Sequence, residues 1–261
     1  MTFTALARPR LFLALISSER FTQRTLQLMT IASLCLALTT TASAQPAVVA
    51  APTVLNYQGN GLEGGFLRYS ATGTLRWTHD TSTYQTQLEV TALGMKLRSW
   101  ASTGTLSAHG LQPDRFEDVT RGAKRVTQFL RDAGVIRFSE DTSDQPLQAD
   151  AQDKLSALLQ LGFLIGADPQ HYAAGSTISF QAADGHNVEQ WHFQVSAPAV
   201  LELPDGNINA IALTRLTSPE MDQQLQVWLA PSASYLPVRL RITEKNGSFI
   251  DLLWQKTQNP N

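Results

Sequence analysis

Apolar and polar residues alternate along most of the chain from Val54 onward, and the alternation is cleanest near the C-terminus. There the chain reads Leu225-Gln-Val-Trp-Leu229, a break with Pro231 and Ser232, and Leu236-Pro-Val-Arg-Leu-Arg-Ile242. A turn at Asn246-Gly247 then leads into Ser248-Phe-Ile-Asp-Leu-Leu-Trp254. A period of two belongs to a strand buried on one face. Leu236, Val238, Leu240 and Ile242 share one face, with Arg239 and Arg241 on the other. A two-residue loop at Asn246-Gly247 sets Ile242 opposite Asp251. A three-residue loop, Lys245 to Gly247, sets Ile242 against Ile250, Leu240 against Leu252 and Val238 against Trp254. It also places Arg241 opposite Asp251 on the wet face. A one-residue slip turns a whole apolar set outward, so the pattern selects the three-residue loop. Its last position needs a positive φ, which Gly247 adopts without steric cost. The expectation is a hairpin with a bulge at Gly247.

The same period recurs upstream. Leu75, Trp77 and His79 alternate with Arg76 and Thr78, and Asp80-Thr81-Ser82 turns the chain into Tyr84, Thr86, Leu88 and Val90. Met95 to Leu106 follows, then Arg115 to Thr120, Lys124 to Leu130 and Val135 to Ser139, the last two joined by Asp132-Ala133-Gly134. Thr177 to Ala182 and Val188 to Val195 flank Asp184-Gly185, a strong hairpin signal. Ala199 to Leu203 and Ile208 to Leu216 flank Pro204-Asp205-Gly206, and Gln223 to Leu229 leads into the terminal ribbon. Strands at this spacing predict antiparallel pairing rather than a βαβ array.

One segment breaks the pattern. Asp150 to Gly166 has the period of a helix, with Asp150 placed to cap it, Asp153 in its first turn and Gly166 and Pro169 to end it. Leu155, Leu158, Leu159, Leu161, Phe163, Leu164 and Ile165 leave it apolar on most sides. Such a helix is buried, and its natural place is the concave face of the sheet. The predicted fold is therefore mainly β: a curved antiparallel sheet or half-barrel (β-clam-like) with one buried helix near residues 150–166. An ordinary helix packed on a sheet, with no cavity, is the plainer alternative.

The first 44 residues read as a signal peptide rather than as fold. Arg20 and Arg24 precede an apolar run from Leu26 to Leu38, and Ala42-Ser43-Ala44 supplies the small residues of a cleavage site. The run is too short for an ordinary membrane span. Cys35, the single cysteine, follows Leu34, where a lipoprotein signal wants a small residue. Cleavage near Ala44 gives a periplasmic, exported chain of 217 residues without cysteine, residues 45–53 as a short linker, and one β-rich domain over 54–256. A chain of that size builds its own core without disulfides. Loss of four arginines and one glutamate with the signal moves the formal charge from −2 to −5. With no basic stripe, neither nucleic-acid binding nor attraction to an anionic membrane surface is expected.

The search for chemistry returns mostly absences. There is no mature thiol, no Gly-x-Ser-x-Gly elbow, no His-Glu-x-x-His and no phosphate-cradling glycine loop. His79, His109, His171, His186 and His192 stand in no metal-ligand spacing, so no metal, cofactor or catalytic set is assigned. Asp114, Arg115, Glu117, Asp118 and Arg121 cluster in sequence, as a charged strand does, although paired carboxylates also serve acid–base chemistry. The five tryptophans are either core or the lining of a groove.

Three stretches carry a resemblance: Gln112-Pro-Asp-Arg-Phe-Glu-Asp118, Gln152-Asp-Lys-Leu-Ser156, and Val227-Trp-Leu-Ala-Pro231 followed by Leu236-Pro-Val-Arg-Leu-Arg241. Together they resemble the exported proteobacterial family of domain of unknown function 3108, over roughly Leu55 to Gln255. That family implies no activity and no functional residues. The Trp-Leu-x-Pro…Leu-Pro-Val-Arg ending is also similar to the curved half-barrels of periplasmic lipoprotein and lipid carriers, a fold-level likeness.

Two readings compete. In one, a periplasmic protein binds a lipid, acyl chain or lipoprotein in its concave sheet, with Trp77, Leu158, Leu161, Phe163 and Trp228 as candidate ligand-binding residues. In the other, a cell-envelope assembly module binds a protein partner through a sheet edge or face. An exported hydrolase is a third class, and no constellation supports it.

Overall fold

A computed structural model of the protein describes residues 49–120, 122–140, 143–217 and 223–255. The predicted signal peptide and the first part of the predicted linker lie outside them. Seven strands come first: β1 (Thr53–Glu63), β2 (Leu67–His79), β3 (Thr83–Ala92), β4 (Met95–Ser107), β5 (Gly110–Thr120), β6 (Ala123–Leu130) and β7 (Val135–Phe138). Two short strands, β8 (Gln145–Pro146) and β9 (Gln152–Asp153), precede the helix α1 (Lys154–Ala167). The chain then runs through β10 (Thr177–Ala183), β11 (Val188–Val195), β12 (Ala199–Leu203), β13 (Gly206–Arg215), β14 (Gln223–Ala230), β15 (Leu236–Glu244) and β16 (Phe249–Gln255).

These strands form one curved sheet in the order β8-β7-β6-β5-β4-β3-β2-β1-β16-β15-β14-β13-β11-β10-β9, with β12 branching from β13. Every pair is antiparallel except β9 with β10. The mainly β, half-barrel expectation holds. The two end strands are neighbours in sequence, joined by residues 147–151. Gln181 of β10 links the two ends of the sheet: its Nε2 donates to the Pro146 carbonyl of β8 at 2.9 Å, and its Oε1 accepts from the Gln148 amide at 2.9 Å. Each end strand is only two residues long, so β10 pairs with β9 only at Ala182 and Ala183 and its first five residues pair with β11 alone.

The helix lies in the hollow of this sheet. It touches strands from both halves, among them β3, β4, β5, β10 and β15. Leu155, Ala157, Leu161 and Ile165 are fully buried, and the core gathers helix and inward-facing strand residues into one cluster. Asp153 caps the helix, not Asp150. Its Oδ1 accepts from the Leu155 and Ser156 amides at 2.8 Å each, and the Ser156 hydroxyl accepts from the Asp153 amide at 2.9 Å. The reciprocal pair satisfies donors at the helix start that burial would otherwise strand. Asp150 and Asp153 are equally good caps as residue types; Ser156 at the third helical position decides between them. Gly162 brings the helix against the β14–β15 turn, where a Cβ would stand 2.3 Å from the Tyr235 carbonyl oxygen.

The terminal ribbon has the expected register. Ile242 pairs with Ile250, Leu240 with Leu252 and Arg241 with Asp251. The Glu244 amide donates to the Ser248 carbonyl at 2.8 Å, which closes a three-residue loop, and Gly247 has φ 81°. Two details differ. The β14–β15 register shifts between Trp228 and Leu229, leaving Val238 without an opposite residue. Val238 therefore turns away from Leu236 and Leu240 and joins a small second core with Leu201, Leu203, Ile208, Ala210 and Ala230. Nor is Asp251 wet: it is 5% exposed. Arg239 grips it with two bonds of 2.8 and 2.6 Å and Arg241 adds one of 3.1 Å. Trp228 and Phe249 lie under the two guanidinium groups at 4.4 and 4.5 Å, so the carboxylate is walled in by its own partners.

Upstream, the end of the expected linker packs on the fold. Ala50 is buried, and its carbonyl accepts from the Trp77 indole at 2.7 Å. Among the described residues no helix is long and apolar enough to cross a membrane.

Candidate functional site

A helix of fourteen residues is about 21 Å long. The thirteen-residue strands β2 and β4 run to roughly 43 Å. The helix cannot fill the hollow from end to end, and beside its N-terminal half a cavity of about 630 Å³ remains. Leu158 is its contribution from the helix. Leu88 and Val90 of β3, Leu240 and Ile242 of β15, and Ile250 and Leu252 of β16 wall it. Glu63, Arg98, Thr120, Glu244 and Lys245 are among its polar lining, at the strand ends near the turns β1–β2, β3–β4, β5–β6 and β15–β16.

A local irregularity shapes one wall. Val90 pairs with Arg98 and Thr91 with Lys96, so Leu97 is an extra residue in β4. The bulge puts the consecutive side chains of Leu97 and Arg98 both on the cavity, where strict alternation would send one outward. Trp100, next along β4, also lines the cavity. The Arg98 guanidinium carbon lies 5.3 Å from the centre of its ring and the Lys154 Nζ 6.0 Å. Neither cation has a hydrogen bond or ion pair with another described side chain, and the buried Trp100 N–H has no acceptor among the described residues. Burial holds the Lys154 ammonium below its ordinary pKa; Asp184, Asp118 and Glu244 push it the other way, and Arg98 adds to the lowering.

The five residues expected to bind ligand separate. Leu158 lines the cavity. Leu161 is fully buried in the core. Trp77 and Phe163 flank a different void of only about 20 Å³ beside Tyr235. Trp228 sits on the outer face of the sheet beneath Arg239. Arg98, Leu88, Val90 and Ile250 were not anticipated. The available signal was Arg98 itself, a charge two residues before Trp100 on the same face of a strand.

The other polar clusters are structural in their geometry. Tyr84, Ser102 and Asp153 form a hydrogen-bonded chain, with 2.9 Å between the two hydroxyls and 2.5 Å from Ser102 Oγ to Asp153 Oδ2. Burial pushes the Asp153 carboxyl up to about 6, against the hydrogen bonds that lower it, and pushes the Tyr84 phenol well above its ordinary range. All three residues are at most 1% exposed, so no substrate reaches them. In the Asp114–Arg121 cluster, Arg115 and Lys124 bracket Glu117 at 2.8 and 2.9 Å, and Asp118 accepts from Thr120 at 2.8 Å. Arg121 lies outside the described residues. His192 pairs with Ser179 at 2.7 Å. Among the described residues no three His, Cys, Asp or Glu side chains group as metal ligands do. A second groove, about 460 Å³, runs past His109 and His171. Its Gln160 is already spent on the Leu111 amide at 2.8 Å and the His109 carbonyl at 3.0 Å.

The fold is similar to a solved structure described as a β-barrel-like protein of domain of unknown function DUF1849 from Brucella abortus. The TM-score is 0.52 at 10% identity, over 79% of this chain and 98% of that one. No curated protein matches the sequence. The pattern that builds the sheet, from Asn56 in β1 to Leu253 in β16, is matched by one family along its whole length. Over residues 56–253 the chain belongs to the family described as Protein of unknown function (DUF3108).

Proposed function

We propose that this protein binds an elongated apolar ligand, a lipid or acyl chain, in the cavity beside the N-terminal half of its helix. The observation that carries the reading is the cavity itself: about 630 Å³, walled by aliphatic side chains from β3, β15, β16 and the helix. That volume lies within the roughly 300–1,000 Å³ of small-molecule sites. The sequence adds the compartment: with a signal peptide cleaved near Ala44, the site would work in the periplasm, where an acyl chain needs shielding from water. The likeness of the Leu-Pro-Val-Arg ribbon to lipid and lipoprotein carriers points the same way by analogy.

The test uses N-phenyl-1-naphthylamine, a dye that brightens in apolar surroundings. The expected result is saturable fluorescence at one dye per chain, reversed by a long-chain lipid, together with co-purifying lipid in native mass spectra. A protein that leaves the dye dark and flies without lipid refutes the reading.

A second reading has its own observation. Phe66 and Leu67 in the β1–β2 turn are 84% and 47% exposed, and Leu93 and Met95 in the β3–β4 turn 66% and 61%. Apolar side chains at two turns on the same end of the sheet suit contact with a partner of the cell envelope.

A further inference from the structure

We propose that the cavity selects an amphiphile with an anionic head, a carboxylate or a phosphate, held by Arg98 at the Trp100 wall. The inference rests on the cavity reading and adds to it the chemistry of the ligand's polar end.

A purely apolar ligand gives no role to a cation among aliphatic side chains. Arg98 stands on the cavity between Leu97 and Trp100, turned there by the β4 bulge. Desolvating a guanidinium is costly unless an anion or hydrogen-bond acceptor meets it. Elsewhere on this chain, arginines that are partly buried have such partners: Arg239 has Asp251, Arg115 has Glu117 and Arg215 has Glu189. Among the described residues Arg98 has only the face of an indole. Lys154 approaches the same ring at 6.0 Å from the start of the helix, but it is not among the residues that line the cavity.

Asp118, Asp184 and Glu244 do not cancel the charge of Arg98. Glu244 already accepts from the Gln223 amide at 2.7 Å, and Asp118 from the Thr120 hydroxyl at 2.8 Å. Neither these nor Asp184 comes within 4 Å of Arg98 or Lys154 as an ion pair. An anionic head in this place would complete Arg98, and the Trp100 N–H, without an acceptor among the described residues, sits in the same wall. A planar guanidinium fork fits carboxylate or phosphate oxygens two at a time. The chain of such a ligand then runs along Val90, Leu158, Leu240 and Leu252, which line the same space.

Calorimetric titration of the protein with dodecanoate, dodecyl phosphate and dodecanol tests this, since the three share a chain and differ in the head. The two anions should bind about tenfold or more tightly than the alcohol, the margin of a charge-assisted hydrogen bond. Arg98→Gln should bring both anions to the affinity of dodecanol and leave dodecanol unchanged, while Arg98→Lys keeps part of the preference. Where Arg98→Gln fails to fold, Arg98→Met carries the same expectation. The anion with the larger preference identifies the head as carboxylate or phosphate. Equal binding of alcohol and anions overturns the head-group assignment and leaves the cavity reading standing. Binding of none of the three overturns both.

Discussion

The Ser102 hydroxyl donates to the Asp153 carboxylate over 2.5 Å at a depth where both residues have no exposed surface. That bond ties β4 to the first residue before the helix, and Tyr84 on β3 extends it. The helix is therefore fixed at its N-terminal end, through a carboxyl that resists ionisation.

Asp153 makes stability depend on pH in a direction opposite to that of most carboxylates. Its pKa is raised to about 6 from an ordinary 3.8, so the folded state holds the proton more tightly than the unfolded state. The contribution is full below the unfolded value and is lost as pH rises through about 6. An asparagine at this position would keep the cap through its carbonyl and donate its amide to Ser102, without titrating. Stability of Asp153→Asn relative to the natural protein should therefore improve between pH 4 and pH 7, by up to about 3 kcal/mol. Urea midpoints of both proteins across that interval decide it; parallel curves would mean that the buried carboxylate is already relieved in some other way.

Asp251 is stabilised by partners that cannot follow it if it is removed. Asp251→Ala leaves Arg239 and Arg241, two positions apart on β15, without their shared carboxylate over Trp228 and Phe249. Breaking a buried pair costs about 3–5 kcal/mol; here about 2–3 kcal/mol is expected, because both arginines reach water. Denaturant titration reads the loss, and a double variant that also replaces Arg239 with Met should recover part of it.

Gly162 allows an approach between two backbones. An alanine there would place its Cβ 2.3 Å from the Tyr235 carbonyl oxygen, while at Gly166 it meets only the edge of the Tyr235 ring at 3.0 Å. Alanine favours the helix by about 1 kcal/mol over glycine, and overpacking costs about 1–3 kcal/mol. Gly166→Ala should come out near neutral and Gly162→Ala destabilising, with the difference visible as a lower midpoint in thermal unfolding.

What could be read in advance follows from how local each feature is. The Ile242–Ile250 register is legible because a period of two, one glycine and an Arg241–Asp251 pair all choose the same loop. The helix is legible from its apolar content, but its start reads one turn early, since Asp150 and Asp153 look alike until Ser156 is weighed. Val238 is misplaced by a bulge that only the opposite strand reveals. The cavity draws on β3, β4, β15, β16 and the helix, and no local pattern brings Val90, Leu158 and Leu252 together. Trp77 and Trp228 draw attention by size, yet each is absorbed by a specific contact, Ala50 for one and Arg239 for the other.

The cavity itself makes the most direct prediction, through one substitution made in two places. Val90 lines the hollow, whereas Val227 is fully buried in the core and not among the cavity residues. Replacing valine by tryptophan adds the same bulk at both. At Val227 the new ring has no free volume, and the strain should reach or exceed the roughly 1–3 kcal/mol of an overpacked core. At Val90 the ring can enter the open space, where it buries its own apolar surface instead of displacing a neighbour. Val90→Trp should therefore unfold within a few tenths of a kcal/mol of the natural protein, as tolerated substitutions do. The same ring occupies the path along Leu240 and Leu252, so the variant should lose N-phenyl-1-naphthylamine binding while keeping its stability. A Val90→Trp protein as damaged as Val227→Trp would show that the hollow is closed in solution, and one that still binds the dye would place the ligand elsewhere.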